Sequence, residues 1–63
     1  GMRKTYNVSF FKNNTYQSHI VKSDKSPARI ARYYRDVKRV NNVLGISLAT
    51  SESIKHGKTI ITI

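Results

Sequence analysis

"SPARIARYYRDVKRVNN", residues 26–42, is the stretch that decides the fold. Apolar side chains recur in it at spacings of three and four, which predicts an amphipathic α-helix. Ser26 is a residue type that caps first-turn amides, and Pro27 supplies a preset φ where no donor is needed. The helix is therefore predicted over about residues 27–40, with an asparagine closing it. The side chains expected to face the core are Ile30, Tyr33, Tyr34, Val37 and Val40.

Two strands are predicted before this helix. Residues 5–10 alternate strictly between polar and apolar side chains, and residues 16–22 form a second strand-like segment. Between them lie Asn13 and Asn14, which tolerate the positive φ angles of tight hairpin turns. The two segments should therefore form an antiparallel hairpin.

The register of this hairpin is open between two alternatives. A loop of two or four residues would align the apolar face of the first strand with Gln17, His19 and Val21. A bulged three-residue loop would align it with Ser18 and Ile20 instead. We prefer the three-residue loop, because it collects more apolar side chains on one face.

Two further strands are predicted after the helix, over residues 44–50 and in the β-branched "TIITI" of residues 59–63, with the polar loop "SESIKHGK" between them. The predicted fold is α+β: a single small domain, residues 1–63, in ββαββ order, with a four-stranded antiparallel sheet and one helix packed on one face. The other face would be open unless a partner covers it, and Phe11 and Tyr16 are its candidate residues. An apolar C-terminal strand at a sheet edge could extend the sheet across a homodimer.

Composition limits the functional classes. Sixty-three residues allow one thin core, and the absence of cysteine excludes disulfides and thiolate metal sites. No apolar run approaches the roughly 18 residues of a membrane span, so we expect a cytoplasmic protein with no membrane role. Gly1 precedes an apparent initiator, Met2, and is interpreted as a tag remnant.

The charge balance points to a polyanionic partner. Twelve Lys and Arg residues against three acids give a formal net charge of +9. The predicted helix carries like charges at spacings of three and four, where they repel one another and where mixed charges would be favourable. Arginine dominates this face, and its planar guanidinium binds phosphate in a bidentate way. The candidate nucleic-acid-binding residues are Arg29, Arg32, Arg35, Lys38 and Arg39.

The adjacent tyrosines have two interpretations. Aromatic rings beside basic groups can stack on single-stranded bases. Tyr33 and Tyr34, however, fall on or beside the apolar stripe, so we expect their rings to pack in the core.

The sequence offers no catalytic or metal motif. His19 and His56 are the only imidazoles and lack the neighbours of a ligand cluster, and the three acids are scattered. We therefore predict no cofactor, no metal site and no enzymatic activity. A small ribonuclease is an alternative only if one histidine lies beside a basic cleft.

The resulting hypothesis is a small non-enzymatic nucleic-acid-binding protein, binding DNA or RNA through phosphate contacts of the helix. Its size suggests an accessory factor of a phage or mobile element. The alternative is a protein–protein interaction module that binds an acidic protein or dimerises through a sheet edge.

Overall fold

The computed structural model describes residues 2–63, so the prediction about Gly1 lies outside the described residues. Six elements follow one another along the chain. They are β1 (Lys4–Lys12), β2 (Thr15–Ser23), α1 (Pro27–Asp36), β3 (Asn42–Leu48), α2 (Ser51–His56) and β4 (Ile60–Thr62). The four strands form one sheet in the order β3-β1-β2-β4. The α+β class and the four-stranded sheet are confirmed.

The β1–β2 hairpin turns on two asparagines in the left-handed region. Asn13 and Asn14 have φ values of 54° and 62°, and a two-residue hairpin loop of type I′ requires positive φ at both of its central residues. Val8 is consequently paired with His19, and the register with Ser18 and Ile20 beside the apolar face is wrong. The local turn geometry, which both asparagines satisfy, determines the register more strongly than the number of apolar residues on one face.

The core lies between α1 and one face of the sheet. The fully buried apolar side chains of this core come from both strands of the hairpin and from α1; they are Val8, Phe10, Val21, Ile30 and Tyr34. Ser26 caps α1 as predicted: its Oγ accepts a hydrogen bond of 3.3 Å from the Arg29 amide. Burial of this apolar stripe holds α1 against the sheet, because a ten-residue helix is too short to be stable alone in water.

The C-terminal part corrects the prediction of one helix and an all-antiparallel sheet. The segment expected to be a polar loop contains α2, which begins at a Thr50 cap whose hydroxyl accepts from the Ser53 amide. β3 pairs antiparallel with β1, but β4 pairs parallel with β2 at the opposite end of the sheet. The helix makes the parallel arrangement feasible, because it carries the chain back across the sheet between two strands that run in the same direction.

The second face of the sheet is partly covered, which corrects the prediction of an open face. Ile20 points to this face and is buried, and its side chain lies so close to Gly57 that a Cβ there would be 2.5 Å from Ile20 Cγ1. At the hairpin end of the same face, Phe11 and Tyr16 remain exposed, with their ring centroids 5.9 Å apart. α2 therefore shields only the part of this face near β4.

Within residues 2–63, neither helix is long and apolar enough to cross a bilayer.

Candidate nucleic-acid interface

Three of the five predicted binding residues lie on the solvent face of α1. Arg29, Arg32 and Arg35 are exposed, and each follows the previous one by three residues, about 4.5 Å along the helix axis. At 100° per residue they span about 120° of the helix circumference, centred opposite the two buried residues, Ile30 and Tyr34. The packing of the apolar stripe thus directs all three guanidinium groups away from the sheet. These three residues are called the α1 arginines below.

The other two predicted residues are not on the helix. α1 ends at Asp36, four residues before the predicted end. The amide of Lys38 still donates to the Tyr33 carbonyl at 3.3 Å, but Arg39 adopts a φ of 58°, which directs the chain away from the helix axis. The predicted continuous face of five cations is therefore wrong, since Lys38 and Arg39 lie in the α1–β3 connection.

The same early ending corrects one core assignment. Val37 was predicted to face the core, yet it is 61% exposed, whereas Val40 is buried. The turn after α1 brings Val40 back onto the sheet in its place, with its amide donating to the Tyr34 carbonyl at 3.1 Å.

The tyrosines follow the prediction that they belong to the core. Tyr34 is fully buried, and its ring packs 5.2 Å from that of Phe10. Tyr33 is half-buried and packs against the core cluster with part of its ring. Neither ring lies free on the surface as a stacking platform for bases.

A shallow groove of about 230 Å³ lies along one side of α1. Its basic lining residues are Lys25, Arg29 and Arg32, and Tyr33 forms part of its wall. The groove includes Lys25, which was not among the predicted binding residues. The bend before the helix places it there: the Lys25 amide donates to the Ser23 side chain at 3.0 Å.

The lysines and arginines of residues 2–63 have no carboxylate partners. In the part of the chain that the structure describes, no Lys or Arg nitrogen lies within 4.0 Å of a carboxylate oxygen. Asp36 is exposed on α1 and forms no such pair, although Arg32 precedes it by four residues. Glu52 instead contacts a histidine: its Oε2 lies 3.0 Å from Nε2 of His56 on α2. The positive charge of the α1 arginines is therefore left to solvent and mobile anions.

A second set of basic residues, Lys12 and Lys38, lies near His19 in the middle of β2. The pKa of His19 is lowered, first by burial and then by the positive charges of Lys38 and Lys12. Its Nδ1 atom lies 2.8 Å from the phenolic oxygen of Tyr34, and burial raises the pKa of that phenol. Because its pKa is lowered from the ordinary histidine value, the imidazole is mainly uncharged at neutral pH, and Lys12 and Lys38 supply the positive charge beside it.

The two histidines line one polar groove, beside the part of β2 that is not paired with β4. This groove is lined by His19, His56 and Gly57, among others, although the two histidines are far apart in sequence. No group of three or more His, Cys, Asp or Glu side chains is arranged to hold a metal ion anywhere in residues 2–63. The arginines line a separate groove along α1. The histidine groove contains one basic side chain, Lys58, and none of the α1 arginines.

No family model, curated protein or solved structure matches this chain.

Proposed function

We propose that this protein binds nucleic acid through phosphate contacts of the α1 arginines and acts as a binding protein rather than an enzyme. The observation that carries the proposal is that Arg29, Arg32 and Arg35 share one exposed face without a carboxylate within ion-pairing distance. Each guanidinium retains all its donors for phosphate oxygens. The formal net charge of +9 adds long-range attraction to any polyanion.

The groove beside α1 extends this surface. Lys25 and Arg29 line it together with Arg32, so a phosphate above the first turn would meet several cations. Asp36 is the single acid of the groove and lies at its C-terminal end. Phosphate contacts are therefore expected mainly near the N-terminal half of α1, where the helix dipole also favours an anion.

The interaction should depend on charge more than on base sequence. The buried Tyr34 and half-buried Tyr33 leave arginine as the main contacting residue type of α1, and phosphate contacts carry no direct sequence information. The protein would then bind a wide range of sequences, in agreement with an accessory role in a phage or mobile element.

The salt dependence of binding tests this proposal. Affinity for a mixed-sequence duplex and for a single strand of equal length is measured at salt concentrations from about 50 to about 200 mM. About four phosphate contacts on a duplex predict a log–log slope of about −4. Binding that does not change with salt, or no binding below about 100 µM at the lowest salt, would overturn the proposal.

An acidic protein is the competing partner, because it would be attracted by the same exposed cations. Failure of both nucleic acids to bind, together with one acidic protein retained by the chain after nuclease treatment, would support that alternative.

A further inference from the structure

β3 (Asn42–Leu48) leaves one long edge of the sheet unpaired. It is the terminal strand in the order β3-β1-β2-β4 and is hydrogen-bonded to β1 on one side only. Its seven residues make it longer than β4, the three-residue strand at the opposite end. A free edge of this length presents a row of backbone donors and acceptors to solvent.

This edge carries neither charge nor proline, two features that often protect an edge strand, and its regular pairing with β1 is interrupted only at Leu44, where the register shifts by one residue. β3 reads "NVLGISL", without a charged residue or a proline. It lies within a stretch free of Lys, Arg, Asp and Glu that extends from Val40 to Ser51. Leu44 and Leu48 are 45% and 63% exposed. In a chain with a net charge of +9, the longest free edge is thus an uncharged and partly apolar one.

Backbone hydrogen-bonding groups along the regular part of β3 point alternately toward β1 and toward the free edge. The Ala49 amide donates to the Thr5 carbonyl at 2.9 Å, and Ser47 is paired with Asn7. Backbone groups of the intervening residues, Ile46 and Leu48, are consequently directed to the free side.

We propose that β3 pairs antiparallel with β3 of a second copy around a two-fold axis at Ser47, within the regular part of the strand, giving one continuous eight-stranded sheet. In this register Ile46 of each copy lies opposite Leu48 of the other, and the irregular residue Leu44 lies outside the paired region. The side chains of Ile46 and Leu48, which lie on the same face of the sheet, then pack against each other across the two strands, and no cation of one copy faces a cation of the other. The same surface is used by both copies, as a two-fold dimer requires.

The occupant is a second copy because the edge is uncharged. An acidic partner strand would find no Lys or Arg within β3 to pair with, whereas a second β3 supplies the same uncharged, apolar edge. The two-fold axis is perpendicular to the sheet, so the α1 helices of both copies lie on the same face. Two sets of α1 arginines would then be presented to one side of the dimer.

The affinity of this dimer should be modest and should increase with salt. A pair of seven-residue strands is smaller than the 20–30 residues a side of a standard interface, so a dissociation constant of about 10–100 µM is expected. Each copy carries +9, and salt screens their mutual repulsion. Nucleic-acid binding should instead weaken with salt, so the two proposals fail independently.

Sedimentation equilibrium of the full chain tests the dimer. The mass should rise from 7.2 kDa toward twice that value with concentration, more readily at high salt, and should not exceed it. Leu48→Lys places a cation at the paired edge and should keep the chain monomeric at concentrations where the wild type is a dimer. Ile54→Lys is the matched control, because it adds the same charge on α2 at another exposed apolar residue, and it should leave dimerisation unchanged.

Amide hydrogen exchange of the wild-type chain gives a second readout that does not depend on a variant folding. The amides of Ile46 and Leu48 should exchange more slowly at high than at low protein concentration, while Ser47, already bonded to β1, should not change. A mass of one chain at all concentrations, growth beyond two chains, or exchange at Ile46 and Leu48 that is independent of concentration would overturn the proposal.

Discussion

His19 Nδ1 lies 2.8 Å from the phenolic oxygen of Tyr34, and this contact joins half-buried His19 of β2 to buried Tyr34 of α1. Tyr34 is fully buried, so its hydroxyl depends on this partner rather than on water. According to its tautomer, the neutral imidazole either accepts the Tyr34 hydroxyl hydrogen at Nδ1 or donates to the phenolic oxygen from that atom. The hydrogen bond between His19 and Tyr34 therefore connects α1 with the sheet against which it packs.

The stability of the protein should fall as His19 becomes protonated. Its pKa is lowered in the folded state by burial and by Lys38 and Lys12, so the unfolded chain binds the proton more readily. The stabilisation of the neutral form is complete above the unfolded pKa of about 6.5 and declines as pH falls below it. Urea unfolding of the wild type at pH 5 and pH 8 should show this loss, and His19→Gln should reduce it.

His56→Gln is the matched control for this experiment, because His56 is exposed and contacts Glu52 on the surface. It should retain the wild-type loss of stability at low pH. An unchanged pH dependence in His19→Gln would contradict the assignment to His19.

Removing the Tyr34 hydroxyl should cost about 1–2 kcal/mol of unfolding free energy, since Tyr34→Phe leaves the His19 nitrogen without its partner. Tyr33→Phe is the control, because Tyr33 is half-buried and its hydroxyl forms no hydrogen bond within residues 2–63. Denaturant titration should show a larger loss of unfolding free energy in Tyr34→Phe than in Tyr33→Phe. Equal losses would show that the His19–Tyr34 contact contributes little.

The two-asparagine turn should tolerate glycine and resist alanine. Asn14 has a φ of 62°, where an ordinary L-residue is disfavoured by about 1–2 kcal/mol. Asn14→Ala should destabilise the chain by about 1 kcal/mol, whereas Asn14→Gly should leave stability nearly unchanged. Thermal unfolding of the pair checks this, and equal melting temperatures would contradict the turn geometry.

This turn also shows how far the sequence alone determines the structure. The alternation of residues 5–10 and the Ser26–Pro27 start of α1 are local signals, and they correctly predict β1, the hairpin and the beginning of the helix. The predicted hairpin register is wrong. The two-residue turn holds Asn13 and Asn14 in the left-handed region, and the resulting register keeps Ile20 out of the α1-facing core. Ile20 is buried nonetheless, on the other face, where α2 and Gly57 meet it.

The C-terminal elements depend on contacts that the sequence does not display. α2 has six residues, too few for a clear helical period, and its cap uses Ser53 in place of the usual Glu or Gln. The position of β4 beside β2 is set by tertiary packing rather than by its own sequence. For the interface, the helical period correctly placed the α1 arginines, but it could not show that the chain would leave the helix after Asp36.

Gly57 should be intolerant of any side chain. A Cβ at this residue would lie 2.5 Å from Ile20 Cγ1 and 3.0 Å from the Ser53 carbonyl oxygen, so Gly57→Ala should cost about 1–3 kcal/mol. Gly45→Ala is the control, because nothing lies within 4 Å of the corresponding Cβ. Urea titration should show Gly45→Ala close to the wild type. Similar losses in both variants would argue against the packing of α2 on the sheet.

The most direct test of the central claim compares two charge-reversed variants that have the same net charge. Arg29→Glu combined with Arg32→Glu alters the two α1 arginines that line the groove, and Lys55→Glu combined with Lys58→Glu alters exposed residues in and after α2. Affinity for a mixed-sequence duplex is measured at one low salt concentration. If α1 is the binding surface, the arginine variant should bind at least about 10-fold more weakly than the lysine variant and show a salt slope smaller by about 2 than the wild type. Equal affinities of the two variants would contradict the claim, because binding would then follow net charge alone.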